Sequence, residues 1–260
     1  MQQDERTALR SRSFGAIADG YDQFRPGPPA AALDWLIPEG AADVIEVGAG
    51  TGAVTRALLQ RGLRVRAVEP DPRMRQILAE RAPQADVLEG TGEAIPGSDA
   101  SADVVLYASA WHWVDEARAV PEVARVLRPG GRFALLWNGA NRRVPWVRSL
   151  WAGGVPSDDE EAKQVEQGVS HRRQVDLGPS AALFTEPERQ VISWEQTVSR
   201  QELLGLIGTY SGVIVMDAEA RRTFFASVER FLDTDPATAG RQSYDLPMGA
   251  LCWRADRRGT

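Results

Sequence analysis

The chain has 260 residues, 43% of them hydrophobic and 25% charged, with a formal net charge of -6, one cysteine and two histidines. That length buries a substantial core, and the acidic balance excludes the basic face of a nucleic-acid binder. No run of about 18 apolar residues reads as a membrane span, one cysteine excludes an internal disulfide, and two histidines without a cysteine cluster give no metal centre.

Met1-Gln2-Gln3-Asp4-Glu5-Arg6 is too polar for a signal peptide, so a cytoplasmic protein is the expectation. Residues 7 to 25 read as helix and then loop. Tyr21 and Arg25 in this arm are either a packing aromatic and a surface charge, or a phenol donor and a guanidinium fork over a ligand's carboxylate. Pro26, Pro28 and Pro29 break the helix, and the next one spans Ala30 to Leu36.

Val44-Ile45-Glu46-Val47 then predicts a buried strand that ends in Gly48-Ala49-Gly50-Thr51-Gly52, with a helix from Ala53 to Leu59. Glycine suits a sharp turn where backbone must approach a ligand, and the first-turn N–H groups of the helix have no intrahelical partner. The second strand, Val65 to Val68, ends in Glu69, about 20 residues after the turn, where a carboxylate suits ribose hydroxyls. Pro70 and Pro72 stiffen the next loop. Met74 is equally a core filler or a ligand contact, and Arg75 to Arg81 is helical.

Asp86 to Gly90 reads as the third strand, followed by the loop Thr91-Gly92-Glu93-Ala94-Ile95-Pro96. Asp103 to Ser109 is the fourth, running into Ala110-Trp111-His112-Trp113-Val114-Asp115 where α/β sheets bind ligands. A helix over Pro121 to Leu127 and the turn Arg128-Pro129-Gly130-Gly131 lead to the fifth strand, Arg132 to Asn138. Residues 141 to 188 read as helices and loops, with Asp158 to Glu161 as a solvated face. Arg142, Arg143 and Arg148 are either surface charges or holders of an acidic substrate. The sixth strand is Arg189 to Thr197, and Ser199 to Glu202 carries a capping-box pattern. A further helix runs from Asp217 to Leu232, and Gly249 to Ala255 is the seventh strand, with Cys252 buried in it.

Several of these stretches resemble class I S-adenosylmethionine-dependent methyltransferases: Glu46 to Gly52, the Tyr21-Asp22-x-x-Arg25-Pro26 arm, the Thr91 to Pro96 loop and the Leu127-Arg128-Pro129-Gly130-Gly131 turn, spread over residues 14 to 138. Ala110 to Asp115 resembles the type 11, small-molecule group. The resemblance implies an α/β, Rossmann-like sheet of seven mostly parallel strands with an antiparallel last strand beside the fifth. Helices cover both faces, and a helical cap is added. Residues 1–138 would hold the arm and the cofactor-binding core, and residues 139–260 the last two strands with the inserted cap over the substrate site, in one continuous structural domain.

By the same resemblance the cofactor S-adenosylmethionine meets Tyr21, Arg25, Glu46, Gly48, Ala49, Gly50, Gly52, Glu69, Pro70, Met74, Thr91, Gly92, Glu93, Ser109 and Ala110. Thr91 stands where the family carries an acid, so the acceptor for the adenine amine is either its hydroxyl or another group. Trp111, His112, Trp113, Trp137 and Asn138 are the candidate walls of an acceptor site. His112 is either a general base or a shaper of the loop, and one or more of the tryptophans belongs to the core. The expected reaction is O-methylation of a carboxylate or hydroxyl on a small organic molecule, by a monomer or homodimer. A non-catalytic domain that binds the cofactor is the alternative; the G-x-G-x-G spacing argues against a nucleotide-dependent oxidoreductase.

Overall fold

The computed structural model describes residues 24–152 and 175–259. Its strands are β1 (Asp43–Val47), β2 (Arg64–Val68), β3 (Asp86–Leu88), β4 (Ala102–Ala108), β5 (Leu127–Ala140), β6 (Glu188–Ser199) and β7 (Ser243–Asp256). They form one sheet in the order β3-β2-β1-β4-β5-β7-β6. The first five pair in parallel, with Val44 opposite both Val65 and Val104. β7 runs the other way. The Gly130 N–H donates to the Arg257 carbonyl at 2.8 Å and the Asn141 N–H to the Pro247 carbonyl at 2.8 Å, so one strand ascends as the other descends. The strand order reverses between β1 and β4, and in open α/β sheets the ligand crevice lies beyond the carboxyl ends of the strands at that switch point.

Alternate residues of each strand point to opposite faces, and helices bury both. Ile45, Val105, Tyr107, Phe133 and Trp253 share one face with Val120 and Val123 of α4 (Glu116–Val126). Val44, Val104, Ala134 and Cys252 share the other with Leu33 and Leu36 of α1 (Ala30–Leu36), Leu58 of α2 (Ala53–Leu59) and Leu78 of α3 (Pro72–Arg81). Continuous apolar strands such as Val44-Ile45 follow from burial on both sides.

Several boundaries differ from the sequence expectation, among them β5, which begins at Leu127 rather than Arg132 and takes in the expected Arg128 to Gly131 turn. α3 begins at Pro72, because Asp71 caps it by accepting from the Arg73 N–H at 2.8 Å. α4 begins at Glu116 and passes through Pro121, because Asp115 supplies the cap by accepting from the Ala117 N–H at 3.1 Å. β7 starts at Ser243 rather than Gly249, extended as the shared antiparallel partner of β5 and β6.

The described chain divides into two compact units. One holds residues 26–138, 175–192 and 250–259, with the cores just named. The other holds residues 24–25, 139–152 and 193–249, including α5 (Pro145–Ala152), α6 (Arg200–Gly208), α7 (Ser211–Ile214) and α8 (Ala218–Thr234). Its own core contains Val147, Leu150, Leu203, Ile207, Phe224, Val228 and Leu232. Ser199 and Glu202 form the expected capping box at α6. The expected helix and loop over residues 7 to 25, except for the last two residues, lie outside the described residues, as do Tyr21 and the Asp158 to Glu161 run. No helix among the described residues is long and apolar enough to cross a membrane.

Candidate active site

The turn after β1 is built from glycines that need their freedom. Gly48, Gly50 and Gly52 have φ of 71, 58 and 89°, the left-handed region where a side chain is strained. A Cβ on Gly48 would lie 2.5 Å from the Ala110 Cβ, so two loops at the switch point meet there by glycine alone. At Gly50 the nearest atom to such a Cβ would be the Met74 sulfur at 3.9 Å, leaving an open side to the turn. Gly48 and Ala49 donate their N–H groups to the Val68 carbonyl at 2.8 and 3.1 Å, which fixes the turn to the end of β2.

Glu69 completes this corner. Its Oε2 accepts from the Gly50 N–H and its Oε1 from the Asp71 N–H, each at 2.9 Å. Each oxygen therefore keeps lone-pair capacity for a further donor. Burial raises the Glu69 pKa, and the two N–H bonds oppose the shift. Arg75 clamps the loop from outside, donating to the carbonyls of Glu69 and Pro70 at 2.9 and 2.7 Å and to Glu89 at 2.8 Å.

Glu46, expected among the cofactor-binding residues, lies beneath the turn. It is buried and accepts the Thr55 hydroxyl at 2.5 Å, so it braces the turn against α2 from beneath. Burial pushes its carboxyl up to about 8.

The Thr91 loop closes on itself and on the motif after β4. Thr91 and Ala94 pair as a bridge, and the Thr91 side chain is exposed. The Glu93 carboxylate accepts from the Asp115 N–H at 2.8 Å. Gly92 is buried because a Cβ there would lie 2.6 Å from Val114 and 3.2 Å from the Tyr107 hydroxyl. Tyr107 was not legible as a site residue, yet its buried hydroxyl has no hydrogen-bond partner. Its one sequence signal is a phenol in a strand whose other polar residue is Asp103.

Ser109 takes a φ of 52° while its N–H holds the Leu136 carbonyl at 2.7 Å. A non-glycine residue held there is a local strain that clusters at functional sites. The chain then enters a 3-10 turn, Trp111–Trp113. Of the two readings for the motif tryptophans, Trp111 takes the core one: it is 1% exposed, packs edge-on to Tyr107 and Phe133, and donates its indole N–H to Glu116 at 2.8 Å. Trp137 is buried in the same core. His112 is exposed and Trp113 half-buried, with ring centroids 4.6 Å apart. Asn138 donates to the Gly27 carbonyl at 3.1 Å.

Arg25 belongs to the other unit. Its Nε donates to the Thr209 hydroxyl at 2.9 Å and its guanidinium lies 4.6 Å from the Tyr210 ring centroid. Phe24 beside it occupies the space where a Gly205 side chain would be. Arg148 donates to the Arg142 and Arg143 carbonyls, each at 3.3 Å, which ties it to its own helix entry. Among the described residues no group of three or more His, Cys, Asp or Glu side chains could hold a metal ion.

An open glycine turn beside an anchored acid at the switch point of a β3-β2-β1-β4-β5-β7-β6 sheet defines a nucleoside-binding α/β fold. The comparisons sharpen that class. The family described as a methyltransferase domain matches residues 45–135. An uncharacterised methyltransferase of Mycobacterium tuberculosis is 42% identical over 245 residues, covering 94% of this chain and 96% of that one. The solved structure of a protein assigned as a type II methyltransferase, from Anaeromyxobacter dehalogenans, matches with a TM-score of 0.63 at 26% identity, covering 91% of this chain and 100% of that one. A malonyl-[acyl-carrier protein] O-methyltransferase of Methylococcus capsulatus is 33% identical over 149 residues, 52% of this chain and 54% of its own. This chain belongs to the class I S-adenosylmethionine-dependent methyltransferases, and S-adenosylmethionine is its cofactor.

Proposed function

We propose that the chain methylates an oxygen, carboxylate or hydroxyl, of a small organic acceptor. The observation that carries this reading is the turn after β4, where Ser109 is strained and His112 stands exposed beside Trp113. The partial similarity to an O-methyltransferase supports it.

When bound, S-adenosylmethionine supplies a methyl group already activated on a sulfonium. In this reading Glu69 accepts from the ribose hydroxyls with the capacity its two N–H bonds leave. Gly48 to Gly52 lend backbone to the amino-acid end, through the open side at Gly50. Pro70, Met74, Thr91 and Gly92 flank the adenine, and Ser109 and Ala110 border the reacting end. His112 takes the proton of a hydroxyl acceptor, whereas a carboxylate acceptor arrives ionised and needs positioning alone. Alignment is the larger contribution, since positioning can supply roughly 7–11 kcal/mol and a base about 10²–10⁴-fold.

The test has two parts. Melting of the protein should rise by a few degrees with saturating S-adenosylhomocysteine and stay unchanged with NADH. A panel of small carboxylic acids, phenols and amines is then followed by mass spectrometry for a gain of one methyl. Methylation of amines alone would overturn the O-methylation reading.

A further inference from the structure

β6 is the last strand of the sheet, with β7 on one side and no strand beyond it among the described residues. It is 12 residues long, contains no proline, and carries Glu188, Arg189 and Glu195 as its charged residues. An edge of that length offers unpaired N–H and C=O groups, which proteins ordinarily shield with charge, proline, a bulge or a covering element. Alternate residues Arg189, Val191, Ser193 and Glu195 are all exposed, so they share one open face. Val191 at its centre is 52% exposed. Glu188 is engaged by Arg254 at 2.8 Å, whereas Arg189 and Glu195 have no ion pair or side-chain hydrogen bond among the described residues.

We propose that the β6 edge pairs with the β6 edge of a second copy of this chain, antiparallel about a two-fold axis at Ile192. The charges choose the occupant and the register. In that pairing Arg189 faces Glu195 of the partner subunit, and Glu195 faces Arg189 of the partner subunit. Val191 faces Ser193 of the partner subunit, and Gln190 faces Trp194 of the partner subunit. No like charges stand directly opposite. A slip of one residue brings Glu188 against Glu195, and centring on Arg189 or on Glu195 sets a like charge against itself. A two-fold contact uses the same strip on both copies, so one complementary pair counts twice. Pro187, lacking an N–H, ends the ladder just before Glu188.

Sedimentation velocity of the full chain at micromolar concentration tests this, with Arg189→Glu, Glu195→Arg and the double swap compared in parallel. The wild-type chain is expected to be a dimer. Each single swap sets two like pairs in the strip and should raise the dissociation constant by about tenfold or more. The double swap should restore the dimer. Both positions are exposed, and an unchanged melting shift with S-adenosylhomocysteine checks that each variant is folded. A wild-type monomer overturns the proposal. So does a dimer indifferent to both single swaps, which places the contact elsewhere, or a double swap that stays monomeric, which rules out the register.

Discussion

The Gly50 N–H and the Glu69 carboxylate meet at 2.9 Å, so the glycine turn and the acid at the end of the second strand are a single built piece. Arg75 and Asp71 hold that piece from the side of α3. A turn ordered before the cofactor arrives loses little entropy on binding.

Glu69→Ala should therefore act twice, removing the proposed ribose acceptor and leaving the Gly50 and Asp71 N–H groups without their partner. Hydrogen bonds to a charged acceptor contribute about 1.5–3 kcal/mol, so S-adenosylhomocysteine should bind at least tenfold more weakly by calorimetry. Unchanged affinity would remove Glu69 from the site.

Gly48→Ala should destabilise the protein even without cofactor. The new Cβ would lie 2.5 Å from that of Ala110, at a φ of 71°. Strain and overpacking each cost about 1–3 kcal/mol, enough to lower the melting temperature visibly. Gly27→Ala meets nothing within 4 Å and should stay within about 0.5 kcal/mol of the parent.

Stability should fall as pH rises from 4.5 to 8 because of Glu46. Its ordinary value is 4.5, burial pushes it up to about 8 in the fold, and the folded state therefore holds more protons than the unfolded chain across that window. Its contribution is full below 4.5 and lost by about pH 8, up to ~5 kcal/mol at 1.36 kcal/mol per pKa unit. Glu46→Gln keeps an acceptor for Thr55 and should flatten the denaturation midpoint across this range. Glu69, raised in the same direction, should contribute a slope of the same sign.

His112→Asn separates base from loop shaper. As a base on a hydroxyl acceptor its loss should cost about 10²–10⁴-fold in turnover and abolish the acidic limb of the pH–rate profile. Full turnover with an unchanged profile from pH 6 to 9 would leave His112 a loop residue.

The first four strands, the glycine turn and the Glu69 position were legible because a buried parallel strand is a short apolar run with a turn at its end. Glycine is diagnostic at Gly48 for a physical reason, the Ala110 side chain waiting there. Local pattern failed where a distant partner decides. Trp111 reads equally as an acceptor-site wall or as core, and Phe133 and Glu116, which hold it in the core, decide between them. Arg25 reads either as a surface charge or as a ligand fork, and one partner that holds it, Thr209, lies 184 residues away. Pro121 reads as a helix start because prolines favour first turns, while the Asp115 cap places the true start a turn and a half earlier.

The antiparallel β7 also orders events during synthesis. The turn-to-acid contact spans 19 residues, whereas Arg132 on β5 finds Asp256 on β7 across 124. Closing long loops costs more entropy, and distant strand pairing is slow. On a chain leaving the ribosome the nucleoside platform can form while β5 still lacks its partner. During that interval the apolar edge of β5 should carry the hazard of misassociation, until β7 emerges to cover it.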